Sequence, residues 1–191
     1  MFLIRDLITL LLSNLVFSQA LGTSTLFVAA SGRKNLIRTA CVITLFTTIA
    51  SAFTYFVDTL MPPFAREYAT LICYTIIIGI LYALFLLALS TFGKAKFQAY
   101  KKYIHLSAFN CAVMGTLFTI SEKTADNISL RDTIHYFLKG LEAGVGFVVA
   151  AVFLAMAYKK LNSEKVPASF RGFPAMLIYL GIISMAVYAL K

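Results

Sequence analysis

The chain has 191 residues, 60% of them hydrophobic and 13% charged, with a mean hydropathy of +0.85. Soluble globular domains carry roughly 45–50% apolar residues, so this composition excludes an ordinary soluble protein and implies a membrane protein. The formal net charge of +9 would suit a nucleic-acid surface, but the placement of the cations points elsewhere.

A hydrocarbon core of about 30 Å is crossed by about 20 apolar residues in a helix. Six such runs occur, near residues 2–22, 36–60, 68–92, 103–121, 132–158 and 173–190, which predicts an all-α integral membrane protein with six transmembrane helices. The first run shows no small-residue cleavage site after a short apolar core, so it is expected to remain in the mature chain. The connections are too short for a soluble domain with its own core. A single domain over residues 1–191 is therefore expected, and any soluble substrate site would be shared with another polypeptide.

Arg33, Lys34 and Arg38 fall in the first loop, Lys94, Lys96, Lys101 and Lys102 in the third, and Lys159, Lys160, Lys165 and Arg171 in the fifth. The second and fourth loops hold only Arg66, Lys123 and Arg131. Cytoplasmic loops are enriched in Lys and Arg, so loops one, three and five are expected inside and both termini outside. The basicity thus reads as topology, with contacts to anionic headgroups of the lipid bilayer, rather than as binding of nucleic acid.

In chain order, the first run is interrupted by Ser13-Asn14 and then by Gly22-Thr23-Ser24-Thr25. The second and third runs carry Cys41 and Cys73 among apolar neighbours, where a thiol behaves as a small buried hydrophobe. The fourth follows His105 and is interrupted by Asn110-Cys111 and Gly115-Thr116; Cys111, beside an Asn at a break, is placed where free backbone N–H groups could present it to a metal. The fifth opens at His135 and holds Lys139 and Glu142, then Gly144-Val145-Gly146-Phe147. Glu142 reads as the carboxylate inside the membrane, either on an ion path or neutralised by Lys139 at i, i+3. The glycines after it offer a neighbouring helix a close contact surface.

Three helices are an odd number, so a second trio would enter the membrane from the opposite side, and any kinship between the halves 1–92 and 93–191 would be an inverted repeat. Each half opens with an interrupted helix. Irregular backbone at membrane depth survives only where protein or water covers it. Asn14 and Asn110 must each find partners for a whole amide, so the paired interruptions point to a site near the midplane, although small residues at such breaks also serve helix packing alone. No nucleophilic triad, phosphate-cradling glycine loop or cysteine pair spaced for a metal is present in the sequence.

The segments "SNLVFSQALG" at 13–22, "NCAVMG" at 110–115, "EAGVGF" at 142–147 and "VPASFRGFPAMLI" at 166–178 resemble the RnfA/NqrE membrane subunits of the Rnf and sodium-pumping NADH:quinone oxidoreductase complexes. The resemblance covers nearly the whole chain, and the last segment separates it from the sister subunit RnfE/NqrD, which has the opposite membrane orientation. The family implies a bacterial or archaeal cytoplasmic membrane, and a [2Fe-2S] iron–sulfur cluster shared between this chain and an RnfE/NqrD-like partner. Each partner gives one cysteine from each of its two broken helices. Electrons pass through that cluster across the membrane, between ferredoxin or NADH and flavins, coupled to sodium or proton movement. By this resemblance Cys111 is an iron ligand, and Asn110, Gly115, Asn14 and Gly22 shape the breaks. No catalytic residue is implied, since the chain would be one subunit of a translocating oxidoreductase.

The sequence departs from the family at one ligand. Where the first broken helix usually reads L-G-x-C-P, here it reads Leu21-Gly22-Thr23-Ser24-Thr25, so Ser24 stands in the cysteine's place. A serine oxygen is a harder and more basic ligand than a thiolate. The third helix lacks the acidic residue usual near its end, reading "LFLLALS" at 84–90, and the fifth ends Tyr158-Lys159-Lys160. The alternative is a paralogue without a cluster, acting as a scaffold or a transporter-like membrane module.

Overall fold

The computed structural model describes residues 14–30, 32–92, 97–125 and 133–189. Among these residues all regular structure is helical: α1 (Leu15–Gln19), α2 (Thr23–Ala30), α3 (Arg33–Leu60), α4 (Pro63–Phe92), α5 (Phe97–Ala108), α6 (Cys111–Ala125), α7 (Thr133–Leu161) and α8 (Phe173–Tyr188).

Three stretches are long and apolar enough to cross a membrane, Arg38–Leu60, Tyr68–Thr91 and Thr133–Tyr158, and the bent pair α5–α6 makes a fourth when counted as one span. These match the second, third, fifth and fourth apolar runs. The sixth run is the 16-residue helix α8, shorter than the roughly 20 residues a full crossing needs. Of the first run, residues 1–13 lie outside the described residues, and its remainder belongs to the short helix α1 and the turn into α2 rather than to one continuous helix.

The centre of the molecule is the crossing of α3 and α7, which make the most extensive contact of any helix pair. Glycines allow it. A Cβ on Gly140 would collide with the Ser51 side chain, and one on Gly144 would stand 2.6 Å from the Thr44 methyl. Thr44 Oγ1 also donates to the Gly144 carbonyl across the interface at 3.1 Å. Close backbone approach through small residues is how membrane helices gain van der Waals contact where lipid is as apolar as leucine. Around this crossing pack Ile43, Phe46, Ala150 and Leu154 from the two helices and Leu26, Tyr74, Val113 and Leu117 from their neighbours, all at most 1% exposed.

The opposite faces are apolar and open. On α4, Leu71, Ile72, Ile76, Ile80, Leu84 and Leu87 are all exposed, the surface a helix presents to lipid or to another membrane protein. The expectation of buried thiols is corrected for two cysteines: Cys41 is exposed and Cys73 half-buried.

Asn14 fastens the first short helix to the centre. Its Oδ1 accepts the Val16 N–H at 2.9 Å, capping α1, while its Nδ2 donates to the Gly146 carbonyl on α7 at 2.6 Å. Gly146 has no side chain in the way; a Cβ there would stand 3.5 Å from the Asn14 amide, in ordinary contact with it. An amide inside an apolar bundle must spend its donors and acceptor on protein. Asn14→Ala removes a cap and strands a carbonyl, so we expect a loss of about 2–4 kcal/mol, read as a lowered unfolding temperature of the detergent-solubilised protein. Cys41→Ala, on an open face, should leave that temperature nearly unchanged.

Candidate functional site

The two helix breaks lie against each other. The first is the segment Ala20-Leu21-Gly22, in which Ala20 takes φ 56° and Gly22 φ 80°, both in the left-handed region that favours glycine. It ends α1 and turns the chain into α2, whose first backbone bond runs from Leu26 N–H to the Gly22 carbonyl at 3.1 Å. The second is Phe109-Asn110, where α5 and α6 meet at a 42° bend. Asn110 Oδ1 accepts the Ala112 N–H at 3.0 Å, the same capping role that Asn14 plays at α1. Gly115 and Thr116, expected from their composition to belong to the interruption, sit instead inside the unbroken helix α6. Gly115 serves packing: a Cβ there would collide with the Leu21 side chain of the first break.

The joint between the breaks is the Gly22 N–H, which donates to Cys111 Sγ at 3.0 Å. Gly22 is buried so closely that a Cβ would stand 2.8 Å from Ala112 Cβ and 2.9 Å from a Phe147 ring carbon. Cys111 is the first residue of α6, and the N–H that meets its sulfur begins α2. Both helices therefore direct the positive ends of their backbone dipoles toward this atom, an arrangement suited to sulfur carrying negative charge, as a metal-bound thiolate does.

Cys111 is nevertheless exposed at the surface of the chain, on a recess of about 210 Å³ whose lining includes Thr75, Ile78, Asn110 and Met114. Ser24, in the first turn of α2, is also exposed. Asn110 is 4% exposed, and its Nδ2 has no hydrogen-bond partner among the described residues. A buried donor left unmade is costly, so this amide is an open position at the site.

The residues singled out in the sequence thus divide. Gly22, Asn110, Cys111 and Gly115 gather at the joint, with Asn14 tied to it through Gly146. Lys139 and Glu142 form their own pair at 2.7 Å on the outer face of α7, with side-chain exposures of 46% and 34%. Contrary to expectation, Glu142 is not the sole carboxylate within the apolar helices. Asp58, in the last turn of α3, is 4% exposed, and it accepts hydrogen bonds from Tyr74 Oη at 2.6 Å and Tyr136 Oη at 2.8 Å. Its signal is available in the sequence: Asp58 is the only acidic residue in the run 36–60. Among the described residues no group of three or more His, Cys, Asp or Glu side chains converges on one metal position.

Comparison with known proteins decides the family. The model of the Rnf-Nqr membrane subunits matches residues 5–191. The chain belongs to this family. Similar proteins include a subunit of the ion-translocating oxidoreductase complex of Shewanella loihica, 28% identical over 93% of this chain and 90% of the relative. Another is a subunit of the Na(+)-translocating ferredoxin:NAD(+) oxidoreductase complex of Acetobacterium woodii, 27% identical over 91% of this chain and 88% of the relative. This Rnf-Nqr chain is thus a multi-pass membrane protein whose relatives are subunits of ion-translocating oxidoreductase complexes.

The joint itself yields a prediction. Gly22→Ala forces a side chain into a left-handed backbone and against Ala112 and Phe147, and should destabilise the protein by at least about 2 kcal/mol. Gly181→Ala, where the added Cβ would meet no side chain or neighbouring helix within 4 Å, should be neutral or slightly stabilising in the same thermal-unfolding measurement.

Proposed function

We propose that this chain is a membrane subunit of an ion-translocating electron-transport complex, and that the joint between its two helix breaks is one half of an iron–sulfur site completed by an RnfE/NqrD-like sister protein. The observation that carries the proposal is Cys111, a thiol that is exposed yet held by a backbone N–H from the opposite break. A cluster lying on an interface needs ligand atoms at the surface of each chain, and Cys111, unlike the exposed Cys41, stands at a helix break with a backbone N–H on its sulfur.

The residues present fit one edge of such a group. Cys111 supplies a soft ligand, and the unmatched Asn110 Nδ2 is a donor available to sulfur at the same edge. Hydrogen bonds to cluster sulfurs and ligand thiolates shift the reduction potential. Ser24 is the second candidate ligand, a harder oxygen donor that favours the oxidised metal and lowers the potential. When bound, a [2Fe-2S] group supplies a one-electron relay between the two sides of the membrane. The protein's part is to hold that position rigid and dry: Gly22 fixes the Cys111 sulfur, Phe147 and Leu21 close the joint behind it, and Asn14 ties the first break to α7.

The positive-inside distribution of Lys and Arg places the α2–α3, α4–α5 and α7–α8 connections on the cytoplasmic side. Two inverted halves, 1–92 and 93–191, would then bring their breaks together from opposite sides, and the Gly22–Cys111 contact between the breaks supports that reading. Glu142, paired with Lys139, is a further candidate on the ion path.

A second reading has one specific observation in its favour, the oxygen of Ser24 where the family resemblance implies a cysteine. On that reading the chain keeps the architecture without the cluster and acts as a scaffold. Purification of the complex separates the two. Iron and acid-labile sulfide with a paramagnetic signal on reduction are expected, and Cys111→Ala should abolish them. Ser24→Cys should raise the reduction potential. A complex that is stable and free of iron, and indifferent to Cys111→Ala, rejects the electron-carrying reading in favour of the scaffold.

A further inference from the structure

We propose that Thr39 of α3 and Ser107 of α5 hold a bound water molecule between them, an internal binding site that clamps the first half of the broken span to α3 one turn before Asn110. The site stands on the packing of α3 against α5 and does not depend on what the joint at Cys111 holds.

The two hydroxyls are brought level by the register of their helices. Helix α4 runs antiparallel to its neighbours on both sides. It meets α3 at Phe46–Phe85 and Asp58–Tyr74, and it meets α5 and α6 at His105–Tyr82 and Phe118–Tyr74. α3 and α5 therefore run in the same direction. They are tied near their starts, where Tyr103 Oη donates to Asn35 Oδ1 at 2.6 Å and the Arg38 guanidinium lies over the Tyr100 and Tyr103 rings. One turn beyond Asn35 is Thr39, and one turn beyond Tyr103 is Ser107. Asn110 follows on the same face of α5, since positions i, i+4 and i+7 of a helix share a side.

Both side chains are sealed in. Thr39 is 1% exposed and Ser107 0%, and neither the Thr39 Oγ1 nor the Ser107 Oγ has a hydrogen-bond partner among the described residues. Other hydroxyls of this chain behave differently. Thr44, Thr47 and Thr48 on α3 each donate to a carbonyl of their own helix, and Thr116 and Thr119 do the same on α6. That local bond is open to a helical Ser or Thr in general, and Thr39 and Ser107 both forgo it. A direct bond between the two would have satisfied them without help, and it is not made. A buried hydroxyl left dry is costly, and one water relieves both.

The partners such a water needs are at hand. Buried waters make about three hydrogen bonds to otherwise unsatisfied polar groups. Here the water accepts the proton of one hydroxyl and donates to the oxygen of the other. Its second proton has the carbonyls of Asn35 and Tyr103 to choose from, each of which keeps the lone pair that a back-bonding hydroxyl would have used. The consequence is positional. α5 has only 12 residues before the chain bends by 42° into α6, and a bridged pair one turn before the break fixes the depth and rotation of the segment that delivers Asn110 to the joint.

Substitution separates a bridged pair from a dry one by sign. Thr39→Val and Ser107→Ala each remove a hydroxyl and leave the rest of the side chain's shape. Where the hydroxyl is dry, its loss relieves a desolvation cost, and the unfolding temperature of the full chain rises or holds. Where it binds water, the water loses a partner, and the temperature should fall by about 2–4 °C in each variant, the shift of one ordinary hydrogen bond in a chain of this size. The double variant should fall little further than the lower of the two, because both substitutions remove the same water. A second measurement reads the water directly. X-ray radiolysis of the full chain in lipid nanodiscs generates hydroxyl radicals within bound water, and peptide mass spectrometry locates the oxidised side chains. Ile104, three residues before Ser107 and 6% exposed, should be oxidised in the wild type and spared in the double variant. A temperature that rises or holds in either single variant overturns the proposal, as do losses that add in the double variant. Ile104 left unlabelled in the wild type overturns it without recourse to any variant.

Discussion

The contact between the Gly22 N–H and Cys111 Sγ depends on three conditions, and the rest of the joint derives from them. Gly22 must lack a side chain, because Ala112 and Phe147 occupy the space. The chain must turn sharply before it, which Ala20 and Gly22 achieve with left-handed backbone. And α6 must begin at Cys111, which Asn110 ensures by capping it. Backbone breaks at membrane depth expose amides that lipid cannot satisfy. Here each break supplies part of what the other lacks, so neither could be straightened alone without stranding polar groups in the other.

The same economy of polar groups extends through the bundle. Asn14 spends its acceptor on α1 and a donor on α7. The Thr47 and Thr48 hydroxyls of α3 bond back to their own helix, and Gly140 and Gly144 approach this face closely. Asp58 divides its oxygens between two tyrosines. The Asn110 Nδ2, like the Oγ of Ser107 one turn earlier, is buried without a hydrogen-bond partner among the described residues.

The class and the broken helices are legible in the sequence for identifiable reasons. Apolar runs of membrane length are long-range signals, and an asparagine within one is conspicuous because its amide is costly there. The position of the turn is less legible. Thr23, Ser24 and Thr25 read as part of the interruption, yet they open α2, because small polar residues are as common in a first helical turn as in a break. Gly115 misleads in the opposite sense: its role is to admit Leu21, a contact between distant segments that no local pattern encodes. Asp58 is harder to read than Glu142, because its burial depends on Tyr74 and Tyr136 arriving from two other helices. Glu142 has a neighbour at i, i+3 that draws the eye and, on the surface of α7, accounts for its charge.

Shape and chemistry are carried by separable atoms at this joint. The turn needs the glycine, the two asparagines and the small residues of α6; none of these needs a sulfur at position 24. Ser24 stands in the first turn of α2 with its side chain exposed, so a hydroxyl and a thiol there make nearly the same demands on the fold. What differs is the ligand field each would offer. The paired breaks are thus held by backbone satisfaction, and the atom at position 24 can vary with little consequence for them.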